Sequence, residues 1–197
     1  MTDDEVARGA AESRHRVANT LQLLAALSRM RSQRANEPEA RRQLLWMADV
    51  IGSIGGLEQK RAAGGVDFAA YLAEMAPIWR RRHGSGSAEV VVEAEPLVVT
   101  DQAASTLALI AQELVGNALA HGFPNGGAGS VLVSLSRSSP DTCALTISDD
   151  GKGFDPASPS ERERFGLWLV RSLAAQVRGD LVIEPRPSVT ARLTFQV

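Results

Sequence analysis

The chain has 197 residues, 44% hydrophobic and 22% charged, a length and balance that bury a core in one or two domains. Its formal charge of −2 excludes a global basic field for nucleic acid or an anionic membrane. Cys143 is the only cysteine, which excludes an internal disulfide framework and a cysteine zinc site and fits a reducing, cytoplasmic compartment. Residues 1–5 are acidic and lack the regions of a signal peptide, and no stretch reads as the roughly 20 apolar residues that cross a bilayer. Any signal from outside the cell is therefore expected to arrive through a separate sensor protein.

From 4 to 34 the pattern is helical, with Val6, Ala10, Val17, Leu21 and Leu24 on one apolar stripe. Asn36-Glu37-Pro38 breaks it, and a second helix carries Leu44, Ala48, Ile51, Ile54 and Leu57 until Gly64-Gly65 closes it. Such an αα-hairpin cannot enclose a core alone, and a homodimeric four-helix bundle is the simplest completion. Asp67 caps a third helix with Phe68, Leu72, Met75 and Trp79 at helical spacing, ended by Arg80-Arg81-Arg82 and a loop at 83–87. Short strands at 90–92 and 97–99 precede a helix capped by Thr100 or Asp101 and reaching about His121. Strands at 131–135 and 144–147, a helix at 165–177, and strands at 181–183 and 191–197 complete the pattern. The class is α+β, with an N-terminal antiparallel helical hairpin at 1–65 and an α/β sandwich at 66–197.

On the first helix, His15 lies about 180° to 240° from Val17, Leu21 and Leu24, with Glu12, Asn19 and Gln22 within about 60° of it. An exposed, largely neutral imidazole can attack a phosphorus, although position alone describes any surface histidine equally well. Further on, Glu113, Asn117 and His121 are spaced four apart and project from one helix face. An amide oxygen on Asn117 suits Mg²⁺, Glu113 can position water or accept a proton, and His121 can meet a phosphate. Ile147-Ser148-Asp149-Asp150-Gly151-Lys152-Gly153-Phe154 ends a strand in acids and then allows a tight turn close to a ligand. Phe165-Gly166-Leu167-Trp168 opens a helix whose N-terminal amides could hold phosphate.

The run from Glu12 to Leu23, including His15, Arg16, Asn19, Leu21 and Gln22, resembles the phosphoacceptor box E-x-x-H-R-x-x-N-x-L-Q of a histidine-kinase subfamily related to the HWE kinases. The three later segments, in order, resemble the N, G1 and G2 boxes of the GHKL (Bergerat) ATPase fold. The resemblance implies ATP and Mg²⁺ as cofactors, a response regulator receiver domain as partner, and His15 as phosphoacceptor. By the same resemblance Asn19 orients a hydrolytic water, Asn117 holds Mg²⁺, Asp149 reads adenine, Gly151 and Gly153 shape the pocket, and Gly166 begins a phosphate-facing turn beside Leu167. Because Arg16 stands where commoner kinases place an acid, Glu12 is expected to take the proton of His15. Departures are the ten-residue lid between Phe154 and Phe165, Trp168 at a position where it would crowd the phosphates, Arg186-Pro187-Ser188-Val189 in place of a glycine-rich stretch, and no W-x-E signature. The leading expectation is an autophosphorylating kinase. The alternatives are a histidine phosphotransferase with a degenerate ATPase-like domain and, ranked lower, an anti-sigma serine kinase.

Overall fold

The computed structural model describes residues 3–62, 64–83, 88–155 and 161–197, with side chains described except at 3–8, 10, 11, 83, 125 and 161–164. The side chains of Val6 and Ala10, the loop 84–87 and much of the expected lid lie outside the described residues. Helix α1 (Asp3–Arg34) and helix α2 (Pro38–Glu58) form the hairpin, with Pro38 in the first turn of α2, where its missing N–H costs nothing.

Which face of α1 is buried differs from the expected stripe. Ala18, Ala25 and Ser32 are buried, whereas Val17 and Leu24 are each 46% exposed. Small side chains set the interhelical distance: a Cβ placed on Gly55 of α2 would already touch Leu21 Cβ at 3.4 Å. Val17, Leu23, Leu24, Leu27 and Met30 of α1, with Leu45 and Met47 of α2, therefore remain as an exposed apolar face. Helix α2 is covered on its other side by the chain's own second half, and Asp49, Ser53 and Leu57 are buried there.

Two short strands, β1 (Arg61–Ala62) and β2 (Gly65–Asp67), follow α2 where the sequence suggested only a glycine stop. They join β4 (Val98–Val99) in a three-stranded antiparallel sheet, so a boundary drawn after residue 65 passes through β2. Helix α3 (Phe68–His83) is capped by Asp67, whose Oδ1 accepts from the Ala70 N–H at 3.0 Å. Strand β3 (Ala88–Ala94) opens the main sheet. Helix α4 (Asp101–Asn117) is capped by Thr100, whose hydroxyl accepts from the Ala103 N–H at 3.3 Å.

Strands β5 (Gly129–Ser139), β6 (Thr142–Asp149), β7 (Asp180–Glu184) and β8 (Thr190–Gln196) complete a five-stranded sheet in the order β3-β5-β6-β8-β7. Only β3 and β5 run parallel; the other neighbours are antiparallel. Alternation places Val131, Val133 and Leu135 of β5, Cys143, Leu145 and Ile147 of β6, and Ala191, Leu193 and Phe195 of β8 in one core. Leu107, Ile110, Ala111 and Val115 of α4, with Val170 and Leu173 of α5 (Glu161–Gln176), fill the other side. The segment Asp101–Gly122 is, contrary to the sequence reading, long and apolar enough to cross a membrane on length and composition, but 67% of its most apolar window is buried in this core.

Candidate functional site

Helix α4 remains α-helical only as far as Asn117; Ala118–Gly122 forms a π-helical turn. The expected face of Glu113, Asn117 and His121 is therefore re-aimed at its last member, a distortion common where helices line sites. Asn117, Ala118, His121 and Gly122 form one wall of a cavity, facing Ile147 and Asp149 of β6. Gly153, Phe154, Leu167, Ile183, Val189 and Ala191 close it. Most of this lining is apolar, suited to a flat ring system, and a buried carboxylate stands in it as the polar anchor.

Asp149 is only 7% exposed. Burial pushes its carboxyl above the usual range, offset in part by the Gly151 N–H, which donates to Oδ1 at 2.9 Å. Its own N–H donates to the Val189 carbonyl at 3.0 Å. The Pro185–Val189 segment is thus a support for the acidic turn, and the Phe154 N–H donates to Pro185 O at 3.1 Å beside it. Gly151 lies behind the carboxylate, where an added Cβ would stand 2.6 Å from Gly122 O and 2.8 Å from Asp149 Oδ1. Gly153 has φ +66°, and a Cβ there would meet Pro185 O at 2.5 Å.

Glu113 and Gly166 stand beside the cavity and against each other. Glu113 is buried; its Oε1 accepts from Asn117 Nδ2 at 3.2 Å and its Oε2 accepts from the Trp46 indole N–H at 3.1 Å. Because the Asn117 amide nitrogen is turned to Glu113, its oxygen is the atom left for a hard cation. A Cβ on Gly166 would collide with Glu113 Oε1, so glycine there lets α5 pack on α4. Helix α5 already begins at Glu161, which puts Gly166 in its second turn and corrects the expectation that Gly166 opens a phosphate-facing helix end. Leu167 does line the cavity. Trp168 is 61% exposed and packs beside Phe165 with ring centroids 5.8 Å apart, which removes the expected crowding of the pocket.

His15 lies elsewhere. It is exposed in a groove with Arg14, Ala18, Glu58, Gln59, Lys60 and Arg61, level with the end of α2. The Trp46 contact with Glu113 is twelve residues earlier, so about 18 Å of helix separates the groove from the cavity's edge. Glu12 pairs with Arg16 at 2.5 Å on the exposed face rather than with His15, and Asn19 is exposed one turn on. Lys60 pairs with Glu74, and Arg61 bridges Glu58 at 2.9 Å and Asp101 at 2.5 Å, two carboxylates that raise its pKa. Sequence reasoning gave no site role to Trp46, Phe154, Gly122 or Val189. Phe154 and Val189 stood within quoted segments, and Trp46 left a trace as a large aromatic in the polar first half of α2.

Two family models match the chain: a histidine kinase model over residues 12–80, and the histidine kinase-, DNA gyrase B- and HSP90-like ATPase over residues 102–197. Blue-light-activated histidine kinase 2 of Erythrobacter litoralis is 27% identical over 190 residues, 90% of this chain and 53% of that protein. Sensor histidine kinase PdtaS of Mycolicibacterium smegmatis is 30% identical over 185 residues, 90% of this chain and 37% of that protein. The chain thus spans about half, or less, of the length of the curated relatives it matches. The solved histidine kinase domain of an Erythrobacter litoralis blue-light activated kinase superposes with a TM-score of 0.68 at 24% identity, covering 98% of this chain and 92% of that one. A longer structure of that kinase gives a TM-score of 0.72 at 22% identity, covering 99% and 60%. With a helical hairpin and a GHKL-type sheet domain both matched, the chain belongs to the histidine kinase family, on its HWE-related side.

Proposed function

We propose that the chain is the kinase core of a two-component signalling protein, which binds ATP with Mg²⁺, accepts a phosphoryl group on His15 and passes it to an aspartate of a response regulator receiver domain. The observation that carries this reading is the buried Asp149 carboxylate in an apolar cavity with Asn117 and His121 on its wall. Asp149 would accept from an exocyclic amino group and thereby select adenine. Gly151 and Gly153 let the backbone approach where any Cβ would collide. Asn117 would hold Mg²⁺ through its amide oxygen, and Glu113 beside it would position a water or accept a proton. ATP, when bound with Mg²⁺, supplies the transferable phosphoryl group and the charge neutralisation that such transfers depend on. His15 offers an exposed imidazole nitrogen as nucleophile, and Asn19 one turn on is the residue to orient water for dephosphorylation.

The exposed apolar face around Leu23, Leu24, Leu27 and Met30 is, in this reading, the seam of a homodimeric four-helix bundle, and the protein is cytoplasmic. One observation favours the histidine phosphotransferase as a second reading: the roughly 18 Å of helix between the His15 groove and the cavity. Incubation with radiolabelled ATP and Mg²⁺ separates the two. The kinase gives acid-labile label that is lost in His15→Ala and in Asn117→Ala. Wild type that takes no label from ATP, yet is labelled on His15 by a phosphorylated receiver domain, is a phosphotransferase.

A further inference from the structure

Among the described residues, the cations Arg14, Lys60 and Arg61 line the groove around His15 against a single carboxylate, Glu58. Lys60 is tethered by Glu74, which lies outside the lining, and Arg61 by Glu58 and by Asp101. These tethers fix the cations and still leave donors to spare. Arg61 gives Nε–H and one Nη2–H to Glu58 and one Nη1–H to Asp101, so one N–H remains on each terminal nitrogen. Arg14 is half-buried and, alone of the three among the described residues, has no ion pair. Ala18 adds only a methyl group to the lining, and about 260 Å³ stays open beside the imidazole.

A half-buried guanidinium without a counter-ion carries a desolvation cost that an anionic ligand would offset. Resting on the reading of His15 as phosphoacceptor, we propose that Arg14, Lys60 and Arg61 form a binding groove for the phosphoryl group once it is on His15. Its oxygens accept from the Arg14 guanidinium and from the remaining N–H groups of Arg61 and Lys60, charge-assisted bonds of the short, strong kind. Held in this way the group stays ionised and is lost to water more slowly. Arg16 adjoins His15 equally closely in sequence, but it pairs with Glu12 on the exposed face and takes no part in the groove. It is the control for charge without position.

Phosphoramidate phosphorylates an imidazole without ATP. Its P–N bond breaks, a new P–N bond forms to His15, and the imidazole proton leaves with the departing amine as ammonia. The full chain is phosphorylated in this way, and the phosphorus NMR resonance lost in His15→Ala identifies the group on His15. That resonance is titrated in wild type, Arg14→Gln, Arg14→Lys and Arg16→Gln; because Arg14 holds no ion pair, its replacement leaves the fold intact. In Arg14→Gln the second ionisation of the phosphoryl group is expected to rise by about half a unit, because a neighbouring cation favours the charged form. Loss of the label at neutral pH should be about threefold faster, the same interaction read as a rate. Arg14→Lys should restore both values, and Arg16→Gln should change neither. A shift in Arg14→Gln no larger than that in Arg16→Gln overturns the proposal, and so does a chain on which phosphoramidate leaves no His15 resonance. If wild type takes no label from ATP, the kinase reading fails by itself and the phosphoramidate titration still decides the groove.

Discussion

The cavity at the end of α4 and the groove around His15 are built on opposite principles. Around Asp149 every wall is fixed by something else: Gly151 donates to the carboxylate, Val189 accepts from its backbone, and Gly122 and Pro185 leave no space for a Cβ at Gly151 or Gly153. His15 stands exposed on the hairpin, between charged side chains paired mainly with one another. A binding site needs a shape that cannot relax, whereas a group that, in the proposed reading, meets a phosphoryl donor and then a second protein needs exposure. Substitutions in the first region should therefore act through geometry, and those in the second through chemistry alone.

The largest effect is expected at the cavity. Gly153→Ala adds a Cβ against Pro185 O at a positive φ, and nucleotide affinity measured by calorimetry should fall by at least about 100-fold. His15→Ala sharpens the contrast from the other side: it should abolish acid-labile label completely while calorimetric nucleotide affinity stays within about twofold. If His15→Ala also weakened nucleotide binding tenfold, the two regions would not be independent and the comparison would break.

Asp149→Asn should lower affinity by about 10- to 100-fold, since a wrongly matched buried polar group faces the base. Its stability effect has the opposite sign. Burial raises the Asp149 pKa in the folded chain, so its contribution to stability is present below the unfolded carboxylate pKa and is lost as pH rises through the folded value. Thermal melts of Asp149→Asn should therefore exceed wild type at neutral pH, with the gain shrinking as the pH falls toward 4. The smallest effect is at Arg16, whose pair with Glu12 is solvent-exposed on both sides. Arg16→Ala should change unfolding free energy by no more than about 0.5 kcal/mol in denaturant melts.

Much of this was legible in the chain. The Asp67 cap works as read, and of the two candidates Thr100 and Asp101 it is Thr100 that caps α4, because an N-cap is a local interaction between a side chain and the next backbone amides. The strands β5, β6 and β8 lie where the sequence put them, and the residues Asn117, Asp149 and Gly153 of the ordered motifs line one cavity. What could not be read depends on partners distant in sequence. The choice of Ala18 and Ala25 over Val17 and Leu24 as the buried stripe was set by how closely α2 could approach. Strand β1 is two exposed residues long, too short for periodicity. Trp46 and Glu113 are 67 residues apart, and only the packed fold joins them.

The π turn at Ala118–Gly122 makes the cavity sensitive to residue number as well as residue type. A π turn is equivalent to one residue inserted into an α-helix. Deleting a single residue there would let α4 run on regularly and remove the bulge that presents His121 and Gly122 to the wall. Substitution scans across 118–120 would miss this dependence, and single-residue deletions would expose it. Sequence comparisons that close a one-residue gap at this point would superimpose side chains that do not occupy the same space.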